Sequence, residues 1–92
     1  MKTVPRSEGQ TLQPISLKDK INRGRQLKFS REYRSISQSE LCRQVKGLSQ
    51  SNLSRFEKGL GYISDDVLIK AMSVLNFPFN WLDVPSIKIK FN

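Results

Sequence analysis

The segment from Ser37 to Gly59 constrains the fold of this chain most, because it predicts two short helices joined by a tight turn. Ser37 can accept a hydrogen bond from the amide of Glu40, whose carboxylate can reach back, so a capping box opens the first helix. Lys46 and Gly47 end it, since glycine takes the positive φ of a turn without strain. Two such helices around a glycine-containing turn form a helix-turn-helix arrangement.

The second helix of this pair is unusually polar. Ser49 is its expected N-cap, the helix covers residues 50–58, and Gly59 stops it. Only Leu53 and Phe56 form an apolar face. The side chains on the outside are those of Gln50, Ser51, Asn52, Ser54 and Arg55. Amide, hydroxyl and guanidinium groups can bind base edges in the major groove, where bulky apolar groups would block approach. A plain solvated face is the alternative interpretation.

A first helix is predicted before this pair, from about Asp19 to Arg34, with Leu27, Phe29 and Tyr33 as its apolar anchors. Gly24 would weaken a helix that begins earlier than Asn22. We expect Arg25, Lys28 and Arg34 to form a solvated basic face.

Two more helices are predicted after the pair. Ser64 is the N-cap of the fourth, which ends at Asn76 and has an apolar face at helical spacing. That face consists of Leu68, Ala71, Met72 and Leu75. Pro78 suits the start of a short fifth helix over residues 79–83. The predicted fold class is therefore all-α, a five-helix domain over residues 19–84.

The two ends of the chain have a different character. Residues 1–18 contain prolines and mostly polar residues without periodicity, which predicts a flexible arm. In the tail, residues 85–92, Ile87, Ile89 and Phe91 alternate with lysines, as in a half-buried strand. A lone strand has no sheet to join, so we expect it to pair across a dimer axis or with a partner protein.

Charge indicates a polyanionic partner. The 92 residues include 16 Lys and Arg against 8 Asp and Glu, a net charge of +8. Residues 1–36 carry 9 basic and 3 acidic side chains, residues 37–59 carry 4 and 2, and residues 60–92 carry 3 and 3. We therefore expect the first two thirds of the chain to meet a nucleic acid or an anionic membrane face. The membrane is disfavoured, because no predicted helix combines a basic face with a broad apolar one.

Composition also argues against an enzyme. The chain has no histidine and a single cysteine, Cys42, so Ser-His-Asp and Cys-His pairs and zinc sites of imidazole and thiolate ligands are excluded. We expect no cofactor and no metal. No secretory signal and no membrane span are recognisable, which makes a cytoplasmic protein the expectation.

The stretch from Ser37 to Gly59 closely resembles the lambda-repressor-like helix-turn-helix family of bacterial and phage regulators, also called the Cro or xenobiotic-response-element family. Its marks are Arg31 ahead of the motif, Ser37-Gln38, Leu48-Ser49-Gln50-Ser51 and Phe56-Glu57-Lys58-Gly59. The resemblance covers residues 24–83. It departs from the family in a turn one residue longer, at Lys46-Gly47, in Cys42 where alanine is usual, and in Ser35 where glycine is usual.

The resemblance implies roles for individual residues. Arg31 and Glu57 would form an ion pair between the first and third helices. Gln38 would bind a backbone phosphate at the start of the second helix. The other residues expected to face DNA are Ser49, Gln50, Ser51, Asn52, Ser54, Arg55 and Lys58, of which Asn52 and Lys58 would reach phosphate.

The sequence thus predicts a DNA-binding transcriptional regulator, most simply a repressor that binds operator DNA as a homodimer. The alternative is an antitoxin-like protein-interaction module. It would neutralise a partner protein, either a toxin or a metallopeptidase-like regulator, and would also repress its own operon.

Overall fold

In the computed structural model, residues 17–85 are described, and they form four α-helices and one 3₁₀ helix. The elements are α1 (Leu17–Tyr33), α2 (Gln38–Gln44), α3 (Gln50–Glu57), α4 (Asp65–Leu75) and the 3₁₀ helix Phe79–Asp83. This part of the chain contains no strand, so the all-α class is confirmed, although the fifth helix is a 3₁₀ helix. Helix α1 begins two residues earlier than expected. The rest of the predicted arm and the predicted strand lie outside the described residues.

Serine residues cap the N-terminal ends of α2, α3 and α4. The hydroxyls of Ser37, Ser49 and Ser64 accept hydrogen bonds from the amides three residues further on, at 3.1, 3.1 and 3.4 Å. These are the N-caps that the sequence predicts. The reciprocal half of the capping box, from the Ser37 backbone amide to the Glu40 carboxylate, is not formed. The Glu40 carboxylate instead accepts from the side-chain Nε2 of Gln44 at 2.7 Å.

Residues that follow the helices adopt left-handed backbone conformations with positive φ. Asn76 terminates α4 with φ 60° and ψ 44°, as predicted, and Gly47 and Gly59 have φ of 90° and 85°. Ser35, between α1 and α2, also has a positive φ of 59°. That conformation is costly for serine, because its Cβ atom crowds the backbone in the left-handed region.

A single apolar core holds the helices together. Its buried side chains are Leu27, Leu41, Val45, Leu48, Leu53, Phe56, Ile63, Leu68, Ala71, Met72, Leu75 and Leu82. Every α-helix and the 3₁₀ helix contribute to it, so α2 and α3 are fixed by burial rather than by the turn between them.

Gly24 brings α1 unusually close to α3. A Cβ atom added there would lie 2.1 Å from the carbonyl oxygen of Phe56, which real structures essentially never show. The glycine that weakens α1 as an isolated helix is therefore required by the packing of α1 against the end of α3.

The prediction that Phe29 and Tyr33 anchor α1 in the core is wrong. Their side chains are 50% and 65% exposed, whereas Leu27 is fully buried. At about 100° per residue, Phe29 and Tyr33 lie roughly 160° and 120° around the helix from Leu27. The core side of α1 is completed by polar or charged residues, namely Gln26, Ser30 and Arg31.

Arg34 is exposed, as expected for a solvated face, but its side chain is also held by hydrogen bonds. Its Nε donates to the Leu75 carbonyl oxygen at 2.7 Å and its Nη2 donates to that of Asn76 at 3.1 Å. Arg34 thus satisfies carbonyl groups at the C-terminal end of α4, where a cation is favourable. Arg25 and Lys28 are exposed.

Candidate nucleic-acid interface

The longer turn between α2 and α3 leaves their packing intact. Val45 and Leu48 are only 1% and 7% exposed, while Lys46 and Gly47 between them are exposed. The turn therefore accommodates Lys46-Gly47 at the surface, while Val45 and Leu48 on either side keep their places in the core.

Helix α3 presents almost all of its polar side chains to solvent. Leu53, Phe56 and Glu57 are its buried residues. The exposed residues at or next to it are Ser49, Gln50, Ser51, Asn52, Arg55 and Lys58, and Ser54 is half-buried. A polar ridge that is bare of large apolar groups can enter a major groove and offer donors and acceptors to base edges.

The loop after α3 supports Arg55. The amide of Leu60 donates to the Arg55 carbonyl oxygen at 2.8 Å. A Cβ atom on Gly61 would lie 3.4 Å from both Cβ and Nε of Arg55, so the loop backbone runs against the side chain. The Arg55 side chain remains exposed.

The C-terminal end of α3 is tied to α1 by an ion pair. Arg31 Nε and Nη2 donate to Glu57 Oε2 and Oε1 at 2.7 and 2.8 Å, and the two side chains are 9% and 3% exposed. Arg31 Nη1 also donates to the Ile36 carbonyl oxygen at 2.9 Å. The hydrogen bond to Glu57 raises the pKa of Arg31. This two-point pairing fixes the orientation of α3 relative to α1 and the start of α2.

Gln38 takes part in the same network. Its Nε2 donates to Glu57 Oε1 at 3.0 Å, so the side chain that is expected to bind phosphate is held by the ion pair. An amide nitrogen carries two hydrogens, and the second one is left for a phosphate oxygen. Ser49 is similar, because its hydroxyl accepts from the Asn52 amide at 3.1 Å and keeps its own hydrogen for donation.

Three exposed cations without an ion pair in the described part of the chain lie at or near α3. Arg43 pairs with Glu40 on α2. Lys46, Arg55 and Lys58 are exposed and make no ion pair with any residue of 17–85. Free cations beside a polar helix are suited to phosphate groups on both sides of a groove.

The sequence reasoning missed two residues that build this site, Gly24 and Gly61. Both permit a close approach of backbone or side chain, and a glycine in the middle of an otherwise regular helix was the signal available for Gly24. Cys42, by contrast, is half-buried against the core as a packing residue, and burial raises the pKa of its thiol.

Within residues 17–85, no group of three or more His, Cys, Asp or Glu side chains is arranged as a metal site requires. None of the helices there is long and apolar enough to cross a membrane.

Two helices around a tight turn, of which α2 packs against α4 and α3, with its polar exposed face, packs against α1, define a helix-turn-helix DNA-binding domain. The helix-turn-helix family model HTH_3 matches residues 27–82, and the chain belongs to this family of Cro/C1-type DNA-binding domains. It is therefore a DNA-binding regulator of transcription. No match is found among curated proteins or among solved structures.

Proposed function

We propose that the protein is a sequence-specific repressor that binds operator DNA through α3. One observation carries the proposal. The polar face of α3 is exposed, while the buried ion pair between Arg31 and Glu57 holds the same helix in place. A rigidly held reading helix loses little conformational entropy when it binds, so its hydrogen bonds can contribute to discrimination between bases.

The side chains divide by role. Gln50, Ser51, Ser54 and Arg55 contact base edges. The phosphate contacts come from Gln38, Ser49, Asn52 and Lys58. Phosphate contacts fix the position of the domain on the duplex, and base contacts supply the sequence preference.

A homodimer supplies the affinity that one domain lacks. A single small domain buries a limited surface on DNA. Two copies joined as a dimer bind half-sites about one helical turn apart, so the unfavourable entropy of association is divided between two sets of contacts. Repression then follows from occupation of an operator that overlaps the polymerase site. The protein has no enzymatic activity in this proposal.

Selection of duplexes from a random library with the purified full-length protein tests the proposal. We expect a palindromic or nearly palindromic site with half-sites one turn apart, and reduced transcription from a promoter that carries it. Recovery of random sequences would overturn the proposal. An antitoxin would instead be purified from its host in a stable complex with a second polypeptide.

A further inference from the structure

Four aromatic rings form a continuous surface on the outside of α1. Phe29 and Tyr33 stack with centroids 5.9 Å apart, and Phe77 and Trp81 do the same at 5.5 Å. The two pairs are joined, Phe29 to Trp81 at 6.0 Å and Tyr33 to Phe77 at 5.9 Å. We call these four residues the aromatic surface. Half or more of Phe29 and Tyr33 is exposed, which is unusual for two neighbouring large apolar side chains.

The aromatic surface lies away from the reading helix. Gly24 and Arg31 are the α1 residues that meet α3. At 100° per residue, Phe29 and Tyr33 lie roughly 140° to 180° around α1 from those two residues. The surface therefore stays accessible while α3 occupies a groove, so its occupant is a protein segment and not the DNA.

The surface also contains an unsatisfied donor. The indole N–H of Trp81 is buried and has no hydrogen-bond acceptor among residues 17–85. A buried donor without an acceptor is unfavourable, and a backbone carbonyl from an added segment is the kind of group that satisfies it. This points to an extended peptide as the occupant.

The last described residues of the chain lead away from the aromatic surface. Phe77 lies beside Tyr33, Trp81 beside Phe29, and the Val84 carbonyl oxygen accepts from Asn22 Nδ2 at 2.9 Å. The chain after α4 thus runs antiparallel to α1, towards the start of that helix. Asn22 is seven residues before Phe29, about 10 Å along the axis. At Pro85 the described chain therefore lies away from its own aromatic surface, and a return of its own tail would need a reversal of direction within residues 86–92.

A second copy of the chain meets these requirements, and this inference rests on the proposed homodimer. We infer that the C-terminal segment, residues 86–92, of each copy lies on the aromatic surface of the other. Ile87, Ile89 and Phe91 alternate with lysines, so an extended segment turns three apolar side chains to the rings. The four rings alone offer far less than the ~800 Å² per partner of a stable interface. A reciprocal exchange of tails makes two such contacts in one dimer and enlarges the buried area.

Two complementary variants test the exchange by sedimentation without DNA. One ends at Pro85 and has no tail, and the other carries Phe29→Ser and Tyr33→Ser, both at exposed positions. We expect full-length protein to dimerise and each variant alone to be monomeric. An equimolar mixture of the two can form only one of the two reciprocal contacts, between the tail of the second variant and the intact surface of the first, so we expect it to associate more weakly than full-length protein. Arg25→Ser with Lys28→Ser, on the same helix, is the matched control and should dimerise like the unaltered protein.

Trp81 reports on the site directly, since it is the only tryptophan in the chain. We expect its emission to shift to shorter wavelength on dimerisation of the full-length protein, and no such shift on concentrating the tail-less variant. In isotope-filtered NMR spectra of mixed labelled and unlabelled protein, contacts between the Trp81 ring and the methyl groups of Ile87 or Ile89 should be intermolecular. Purely intramolecular contacts, or a tail-less variant that dimerises as strongly as the full-length protein, would overturn the inference.

Binding to a single half-site separates this inference from the proposed function, because it needs no dimer. Sequence-specific half-site binding by a full-length protein that remains monomeric would refute the exchange of tails and leave the DNA-reading role standing. Dimerisation that follows the expected pattern, together with no preference among duplexes, would refute the repressor proposal and support the exchange.

Discussion

Arg31 and Glu57 lie 26 positions apart in the chain and share two hydrogen bonds, at 2.7 and 2.8 Å, where α1 meets the end of α3. Glu57 follows directly after Phe56, and Arg31 precedes the turn that leads to α2. The pair therefore joins the core of the domain to the helix that we propose to read DNA.

Glu57→Ala should destabilise the fold by about 3–5 kcal/mol, because it leaves the buried Arg31 guanidinium without its partner. Thermal and urea unfolding measure the loss. Glu40→Ala is the control, since Glu40 pairs with Arg43 at the surface and such pairs contribute about 0.2–1 kcal/mol. An unchanged melting temperature combined with lost DNA binding would instead place Glu57 on the DNA surface.

Arg55→Ala should weaken binding to the selected operator by about 1–3 kcal/mol and relax the preference at one base position. The reason is that arginine pairs with the two acceptors of guanine, and the Arg55 side chain is exposed on α3. Affinities for all single-base variants of the site provide the measurement. Arg43→Ala, on α2, should not alter base preference. A uniform loss on every sequence would identify Arg55 as a phosphate contact.

Gly24→Ala should destabilise the protein by about 1–3 kcal/mol, although alanine favours isolated helices by about 1 kcal/mol. The added methyl group would meet the Phe56 carbonyl oxygen at 2.1 Å and push α1 away from α3. Lys28→Ala, at an exposed position of the same helix, should change stability little. Urea unfolding compares the two variants, and a Gly24→Ala protein of unchanged or higher stability would contradict the close approach.

Ser35→Gly should stabilise the fold by roughly 0.5–1 kcal/mol. A non-glycine residue in the left-handed region costs about 1–2 kcal/mol, and the extra freedom of glycine in the unfolded chain offsets part of the gain. Asn76→Gly is the comparison, because Asn76 has a similar φ of 60° and asparagine tolerates that region better than serine. The gain at Ser35 should exceed that at Asn76 in urea unfolding, and equal or opposite effects would contradict the argument.

Local chemistry determined most of the secondary structure from sequence alone. Ser37, Ser49 and Ser64 cap helices because a hydroxyl can satisfy an amide three residues away, whatever the rest of the fold does. Asn76 and Gly59 end helices for an equally local reason. The exposed polar face of α3 was also readable, since only two apolar side chains in that helix are available to the core.

Tertiary structure alone decided which side of α1 is buried. Gly24, with no Cβ, lets α1 approach the α3 backbone, and Arg31 has a buried partner on that side in Glu57. Phe29 and Tyr33 are therefore left outside, although their hydrophobicity predicts a core position. Hydrophobicity is a property of one residue, whereas the distance between two helices depends on residues far apart in sequence. A partner such as Glu57 also allows a charged residue, here Arg31, to be buried in preference to an aromatic one.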